Sequence, residues 1–354
     1  MPKEEKERAR AEKRAHSIIL HRLGVPKGDY ILEPMAEGAS SKRFFRIFFT
    51  RAGSVSVVLM LLGGRFRVEK TDYYQINELM RKLNLPVAAI YESYGRDGAM
   101  LLEDLGTTTL YDLANDLEGD EETLEEFYRQ AIDSLVLLQT RSGRYSEGVA
   151  AFQRAFDERK LGWELGFMMK HFAGSLLRYK PSSRGEKILN GFFKDVCALL
   201  ASLPRVLCHR DYHSQNLVPR RDTLYITDFQ DARLGPHVYD LVSLLRDSYL
   251  ELSDALRARL LLYYIECHPE FGHRDANALS HQFDLMSLQR HLKHLGTFGY
   301  QAEMGRNDFL RFVPRTLDYL EANLPKFPQY GEASDVLHEM FERARTFLSA
   351  REES

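Results

Sequence analysis

The stretch Val206-Leu207-Cys208-His209-Arg210-Asp211-Tyr212-His213-Ser214-Gln215-Asn216-Leu217, followed by Ile226-Thr227-Asp228-Phe229-Gln230-Asp231, decides how this chain is read. Short apolar pieces bracket a polar segment, the pattern of strand ends flanking a loop. The loop gathers three oxygen-bearing side chains. Asp211 offers a carboxylate that can accept a hydroxyl proton, and Asn216, five residues on, offers an amide oxygen to a hard cation. Asp228, twelve residues after Asn216, adds a second carboxylate at the end of an apolar run.

Phosphoryl transfer needs this division of labour: a carboxylate beside the acceptor hydroxyl and separate oxygen ligands for the cation on the donor's phosphates. Residue types and intervals match the catalytic-loop and metal-loop templates of kinases, with Asp-Phe-Gln where Asp-Phe-Gly is usual. The cation is read as Mg²⁺ held by Asn216 and Asp228, since phosphate oxygens and water complete its octahedron. His209 is read as scaffold, not as a proton carrier.

Working outward, 354 residues exceed the size at which one core stops growing, so two lobes are expected. Hydrophobic residues at 44% and charged residues at 28% are the balance of a soluble globular protein. The net charge of -3 gives no reason to expect nucleic acid or an anionic membrane as partner. Cys197, Cys208 and Cys267 form no CxxC pair, so a reducing compartment is expected, with no disulfide framework or zinc site. Residues 1–16 mix both charge signs, lack the apolar core of a secretory signal, and read as a solvated tail or helix start; the expected location is cytoplasmic.

An opening helix is expected near Ala11 to Leu23, after which residues 30–105 turn rich in β-branched and aromatic runs. Arg43 to Thr50 and Ser54 to Leu62 are expected to pair as a hairpin through Arg51-Ala52-Gly53. A helix over Glu69 to Leu83 ends before Pro86, and strands at Val87 to Tyr94 and Ala99 to Leu102 flank the turn Gly95-Arg96-Asp97-Gly98. Beyond Thr109 helical spacing dominates, over Leu124 to Gln139, Phe152 to Phe172, Lys187 to Leu203 and Asp240 to Leu250. The fold class is α+β: a protein-kinase-like two-lobed fold, with a small β-rich N-lobe over 1–105 and a larger, mainly α C-lobe over 106–354.

With these residues in place, the chain resembles the aminoglycoside phosphotransferase and choline kinase superfamily. HRDYHSQNL, ITDFQDARLGPHVYDLVSLLRDSY and LQRHLKHLG resemble, more narrowly, bacterial cell-wall sugar kinases that act on the anomeric hydroxyl of N-acetylmuramate and N-acetylglucosamine. The resemblance implies ATP or GTP as phosphoryl donor, a small sugar as acceptor, and Asp211 as catalytic base. It places Gly38, Ala39, Ser40 and Ser41 in a loop covering the nucleotide, and Glu103 and Leu105 in the inter-lobe hinge whose backbone meets the purine edge.

The third strand departs from the kinase pattern, offering Met60 where a lysine usually meets the phosphates and pairs with a helix glutamate, here Glu78. Lys42, Arg43, Arg46 and Arg65 are candidate replacements; Arg43 is the first choice, because arginine can bridge phosphate oxygens with two parallel bonds. Asp231 is a candidate contact to the acceptor or a second cation, or a loop-fixing residue. Asp240 reads as the cap of the helix it opens. Arg246 is a candidate for an acidic substrate or for an internal ion pair. His291 and His294 read as packing or substrate shaping, not as a metal site, and Gln289 and Arg290 as pocket candidates. An aminoglycoside or choline-type acceptor, or a nucleotide-binding module without turnover, stays open beside the sugar reading.

Overall fold

A computed structural model of the chain describes residues 3–35, 42–51, 55–117, 119–270 and 276–352. It divides into two compact units, Met1–Thr107 with Tyr225–Thr227, and Thr108–Leu224 with Asp228–Ser354.

The first unit opens with helix α1 (Lys3–Ile18), which continues as a π-helical turn over Ile19–Leu23. The helix therefore begins well before Ala11. Strands β1 (Tyr30–Pro34), β2 (Arg43–Phe49) and β3 (Ser56–Leu61) follow, then helix α2 (Asp72–Lys82) and strands β4 (Ile90–Tyr94) and β5 (Ala99–Glu103). They form one antiparallel sheet in the order β1-β2-β3-β5-β4. The hairpin of β2 and β3 is as expected, with Ile47 opposite Val57; β1 was not singled out in the sequence.

Side-chain alternation explains why the sheet is sealed. Phe45, Ile47, Val57, Leu59, Leu61, Ala99 and Leu101 share one face and bury Ala15, Ile18 and Ile19 of the opening helix. Val58, Met60, Met100 and Leu102 alternate to the other face and are buried too. A strand covered on both sides reads as a continuous apolar run, which is what Val57 to Leu61 is. Arg14 ties α1 down through the carbonyls of Leu62, Asp97 and Gly98.

The second unit carries α3 (Leu110–Asp116), α4 (Glu121–Arg141), α5 (Glu158–Met168) and α6 (Ser183–Ala201), then β6 (Arg205–Cys208), β7 (Leu217–Arg220), the first half of β8 (Thr223–Ile226, of which Tyr225 and Ile226 count with the first unit) and β9 (Arg233–Pro236). Helices α7 (Tyr239–Leu245), α8 (Asp254–Cys267), α9 (Ala276–Glu303), α10 (Val313–Asn323) and α11 (Gly331–Glu352) complete it. β6 pairs antiparallel with β9, and β7 with β8 forms a second small ladder.

α9 is the axis of this unit. It is buried almost all round from Phe283 to Gly299, as a helix enclosed by others must be. Gly296 and Gly299 let α5 and the π-helical turn Met169–Leu176 lie directly on it: a Cβ at either position would come within 2.7 Å of the backbone of Met168 or His171.

Two helical expectations are corrected. Phe152 to Phe172 is not one helix: Ala155 bridges Leu234, and Asp157 then caps α5 by accepting from Lys160 N at 2.7 Å. α7 stops at Leu245, not Leu250, because Arg246 leaves helical geometry and Asp247 turns back towards the loop after β6.

Candidate active site

The loop after β6 is held by buried carboxylates of α7 and the residues following it. Asp240 accepts the backbone N–H groups of His209 at 2.6 Å and Arg210 at 2.9 Å. It lies inside the first turn of α7, so the capping expectation is corrected: its carboxylate caps the loop after β6, not its own helix. Asp247 accepts from Ser214 N at 2.9 Å and from Ser214 Oγ, and its other oxygen takes Tyr249 N at 2.9 Å. Burial pushes the Asp247 carboxyl up to about 6 against these donors. Tyr212 is anchored to Ala131 O of α4 at 2.8 Å, and Arg290 of α9 donates to Arg210 O at 2.9 Å.

Between these clamps the loop presents Asp211. Lys293 Nζ of α9 lies 3.1 Å from its Oδ1, Arg210 Nε 3.8 Å from its Oδ2, and Arg290 3.9 Å away. Desolvation alone would raise the Asp211 pKa, but Lys293, Arg210 and Arg290 together hold the carboxyl well below its usual range. The neighbouring cations thus favour the ionised form of the group. Lys293 is in turn pulled down by burial and pushed up by Asp211.

Asn216 Nδ2 donates to Asp211 O at 2.9 Å, and its backbone N–H donates to His213 O at the same distance. Spending the amide nitrogen on a carbonyl turns Oδ1 to the opposite side, the atom a hard cation takes. Asp228 is exposed and sits in the left-handed region at φ 60°, with Gln230 donating to its Oδ1 at 2.6 Å. Three residues on, Asp231 meets Arg210 at 3.3 Å, which brings this turn against the loop after β6. An amide and a carboxylate are a chemically fitting donor set for Mg²⁺, which keeps most of its oxygens from phosphate and water. Among the described residues no group of three or more His, Cys, Asp or Glu side chains could hold a metal ion.

In the first unit, Arg43 opens β2 opposite Leu61. Glu103 ends β5, donating its backbone N–H to Ala89 O at 2.8 Å and accepting Ala89 N on Oε2 at 3.2 Å; Leu105 follows, half-buried. Gly38, Ala39, Ser40 and Ser41 lie outside the described residues. Arg46, a candidate phosphate cation, is committed to Asp104 by two bonds of 2.7 and 2.9 Å, and Glu78 pairs weakly with Arg81 at 3.5 Å on the surface.

Arg246 is turned inward and bound to Asp284 at 2.6 Å, which is the internal-pair alternative. Gln289 and Arg290 also point inward, to Glu164 and to Ser243 with Arg210. His291 bridges Ser287 and Arg246 O, and His294 meets Ser248 Oγ at 2.9 Å, both as packed core imidazoles.

Sequence reasoning missed Lys293, Asp247 and Ser214. The signal for Lys293 was present: a lysine inside the otherwise apolar helical string LQRHLKHLG has to meet an anion if it is buried.

Comparison with known proteins gives the family and the fold. Residues 31–279 match the model of the phosphotransferase enzyme family. An N-acetylmuramate/N-acetylglucosamine kinase of Neisseria meningitidis is 28% identical over 321 residues, covering 89% of this chain and 92% of the relative. One of the same name from Pseudomonas aeruginosa is 29% identical over 331 residues, covering 88% and 89%. An ethanolamine kinase of Plasmodium vivax shares the fold with a TM-score of 0.57 at 14% identity, each chain covered to 89%. The α+β, protein-kinase-like fold expected from the sequence, with a β-rich N-lobe and a mainly helical C-lobe, is thereby found. Since the family match runs from the first strand through the loop after β6 and into α9, the chain belongs to the phosphotransferase enzyme family.

Proposed function

We propose that the enzyme transfers the γ-phosphoryl group of ATP or GTP to the anomeric hydroxyl of N-acetylmuramate or N-acetylglucosamine. The observation that carries this reading is the Asp211 carboxylate 3.1 Å from Lys293 Nζ on a loop whose backbone is clamped from α7. A carboxylate kept so acidic is a weak base. It suits an acceptor that is itself more acidic than an ordinary alcohol, and an anomeric hydroxyl is such a group. Asp211 accepts the hydroxyl's hydrogen bond, aims its oxygen at the phosphorus, and takes the proton as the new P–O bond forms.

The charges nearby argue against an amine acceptor. Lys293, Arg210 and Arg290 crowd Asp211, so an ammonium-bearing aminoglycoside or choline would enter an already cationic surrounding. The names of the two bacterial relatives support the same choice.

Asn216 and Asp228 would hold Mg²⁺, which neutralises charge on the donor's phosphates. The backbone of Gly38 to Ser41 and the Arg43 guanidinium are assigned to the phosphates, the Glu103–Leu105 backbone to the base, and Asp231 to the acceptor side or a second cation. No helix among the described residues is long and apolar enough to cross a membrane.

The test is a phosphorylation assay with ATP and with GTP, in Mg²⁺, offering both sugars, their 1-O-methyl glycosides, an aminoglycoside and choline. Both free sugars should be phosphorylated and the methyl glycosides should not. Turnover of the glycosides would move the reaction to another hydroxyl, and preference for choline or the aminoglycoside would replace the sugar reading.

A further inference from the structure

Helices α5 and α9 lie in contact, and one turn of each carries two polar side chains. On α9 Lys293 reaches Asp211, while Gln289, one turn earlier, donates to Glu164 Oε2 of α5 at 3.1 Å. Residues four apart share a helix face, so Glu164 leads to Lys160 on α5. A line of side chains thus runs from the catalytic carboxylate to Lys160.

Lys160 Nζ stands 3.8 Å from Glu164 Oε1, beyond hydrogen-bond reach, and 3.9 Å from the centroid of the Trp163 ring. Glu164 Oε1 has no hydrogen-bond donor, so this pair does not saturate the ammonium. The Glu164 side chain is 2% exposed and that of Lys160 24%, whereas Trp163 is 57% exposed. Desolvation lowers the Lys160 pKa; Glu164 opposes this, and Arg210, Arg233 and Lys293 add to it, so an incoming anion would relieve both repulsion and lost hydration. A half-buried ammonium lying over an indole that is itself largely exposed offers a charge for a carboxylate and, on the indole's exposed part, a platform for the C–H face of a sugar ring.

We propose that Lys160 determines acceptor specificity: it binds the carboxylate of an acidic sugar lying against Trp163, so that N-acetylmuramate, which carries that group, is favoured over N-acetylglucosamine, which lacks it. This rests on the sugar-kinase reading and adds the residue that tells its two acceptors apart.

The experiment compares kcat/KM for both acceptors in the wild type, Lys160→Gln and Lys160→Arg. The ratio favouring N-acetylmuramate should fall about tenfold or more in Lys160→Gln, the loss of one charge-assisted contact, and be largely restored by arginine. An unchanged ratio, or equal losses for both sugars, overturns the proposal. Trp163 is the chain's one tryptophan and gives a reading that needs no turnover. N-acetylmuramate should change its fluorescence in the wild type and not in Lys160→Gln; no change in the wild type also overturns the proposal. A protein that phosphorylates neither sugar would sink the acceptor assignment alone, with the fluorescence titration still deciding on Lys160.

Discussion

The Asp240 carboxylate accepts the backbone N–H of Arg210 at 2.9 Å, and the residue it holds has a φ of 90°. An arginine rarely adopts that conformation, so the loop's course depends on what grips it. The adjacent N–H of His209 is bound by the same carboxylate.

Asp240→Ala leaves both N–H groups without their acceptor in a buried place, at about 1–3 kcal/mol each. Urea unfolding should show a loss in that range for one group or both, with turnover falling as the loop relaxes. Asp240→Asn, which keeps one acceptor oxygen, should lose less. A midpoint unmoved in the alanine variant would mean that the loop is held by other contacts.

Asp211→Asn should fold normally and lose about 10²–10⁴-fold in kcat, the usual contribution of a positioned base. Lys293→Gln tests how that base is tuned. Asp211 must be ionised, and Lys293 is the nearest of the cations that keep it so; without it, desolvation raises the carboxyl's pKa. The acid limb of the kcat/KM profile should move to higher pH. A profile superimposable on the wild type's would exclude Lys293 from tuning.

Asp228→Asn removes a carboxylate from the proposed cation pair and should weaken nucleotide binding in Mg²⁺ towards the affinity measured in a chelator. Calorimetric titration with a nonhydrolysable ATP analogue reads this directly. Equal affinity for variant and wild type in Mg²⁺ would remove Asp228 from the metal site.

Asp247 gives a pH signature of its own. Its folded pKa, raised to about 6 by burial, exceeds the unfolded value, so between about pH 4 and 6 the folded chain binds the extra proton and stability falls as pH rises. The contribution is complete below the unfolded value and gone above about 6. Asp247→Asn should remove about 2–3 kcal/mol of that slope, on the order of the shift itself. Thermal midpoints of both proteins across this window check it; parallel curves would refute the assignment.

Much of the fold was legible because local and global preferences agree. Arg43 to Thr50 and Ser54 to Leu62 are β-branched and aromatic runs joined by a short segment with a glycine, so pairing with each other closes the smallest loop, and they do pair. The family was legible because its motif sets fixed residue types at fixed intervals in one segment. What escaped depends on long-range contacts. Lys293 meets Asp211 across 82 positions and Asp247 meets Ser214 across 33, and no local period announces either pair. Asp240 was read from its place at a helix start, where capping is the local expectation; tertiary contact with the loop took its carboxylate instead. Phe152 to Phe172 kept helical spacing across a break made by a bridge to Leu234, a partner distant in sequence.

Met60 has a practical corollary. It sits opposite Phe44 and Met100 in the fully covered interior of the sheet, where a thioether packs without needing a counterion. Acylating nucleotide reagents that tag kinases through an amine on the third strand would find no nucleophile there. Labelling at the third strand should be absent here while lysine-bearing kinases in a mixed extract are tagged there, which makes that site a selectivity filter for inhibitor discovery.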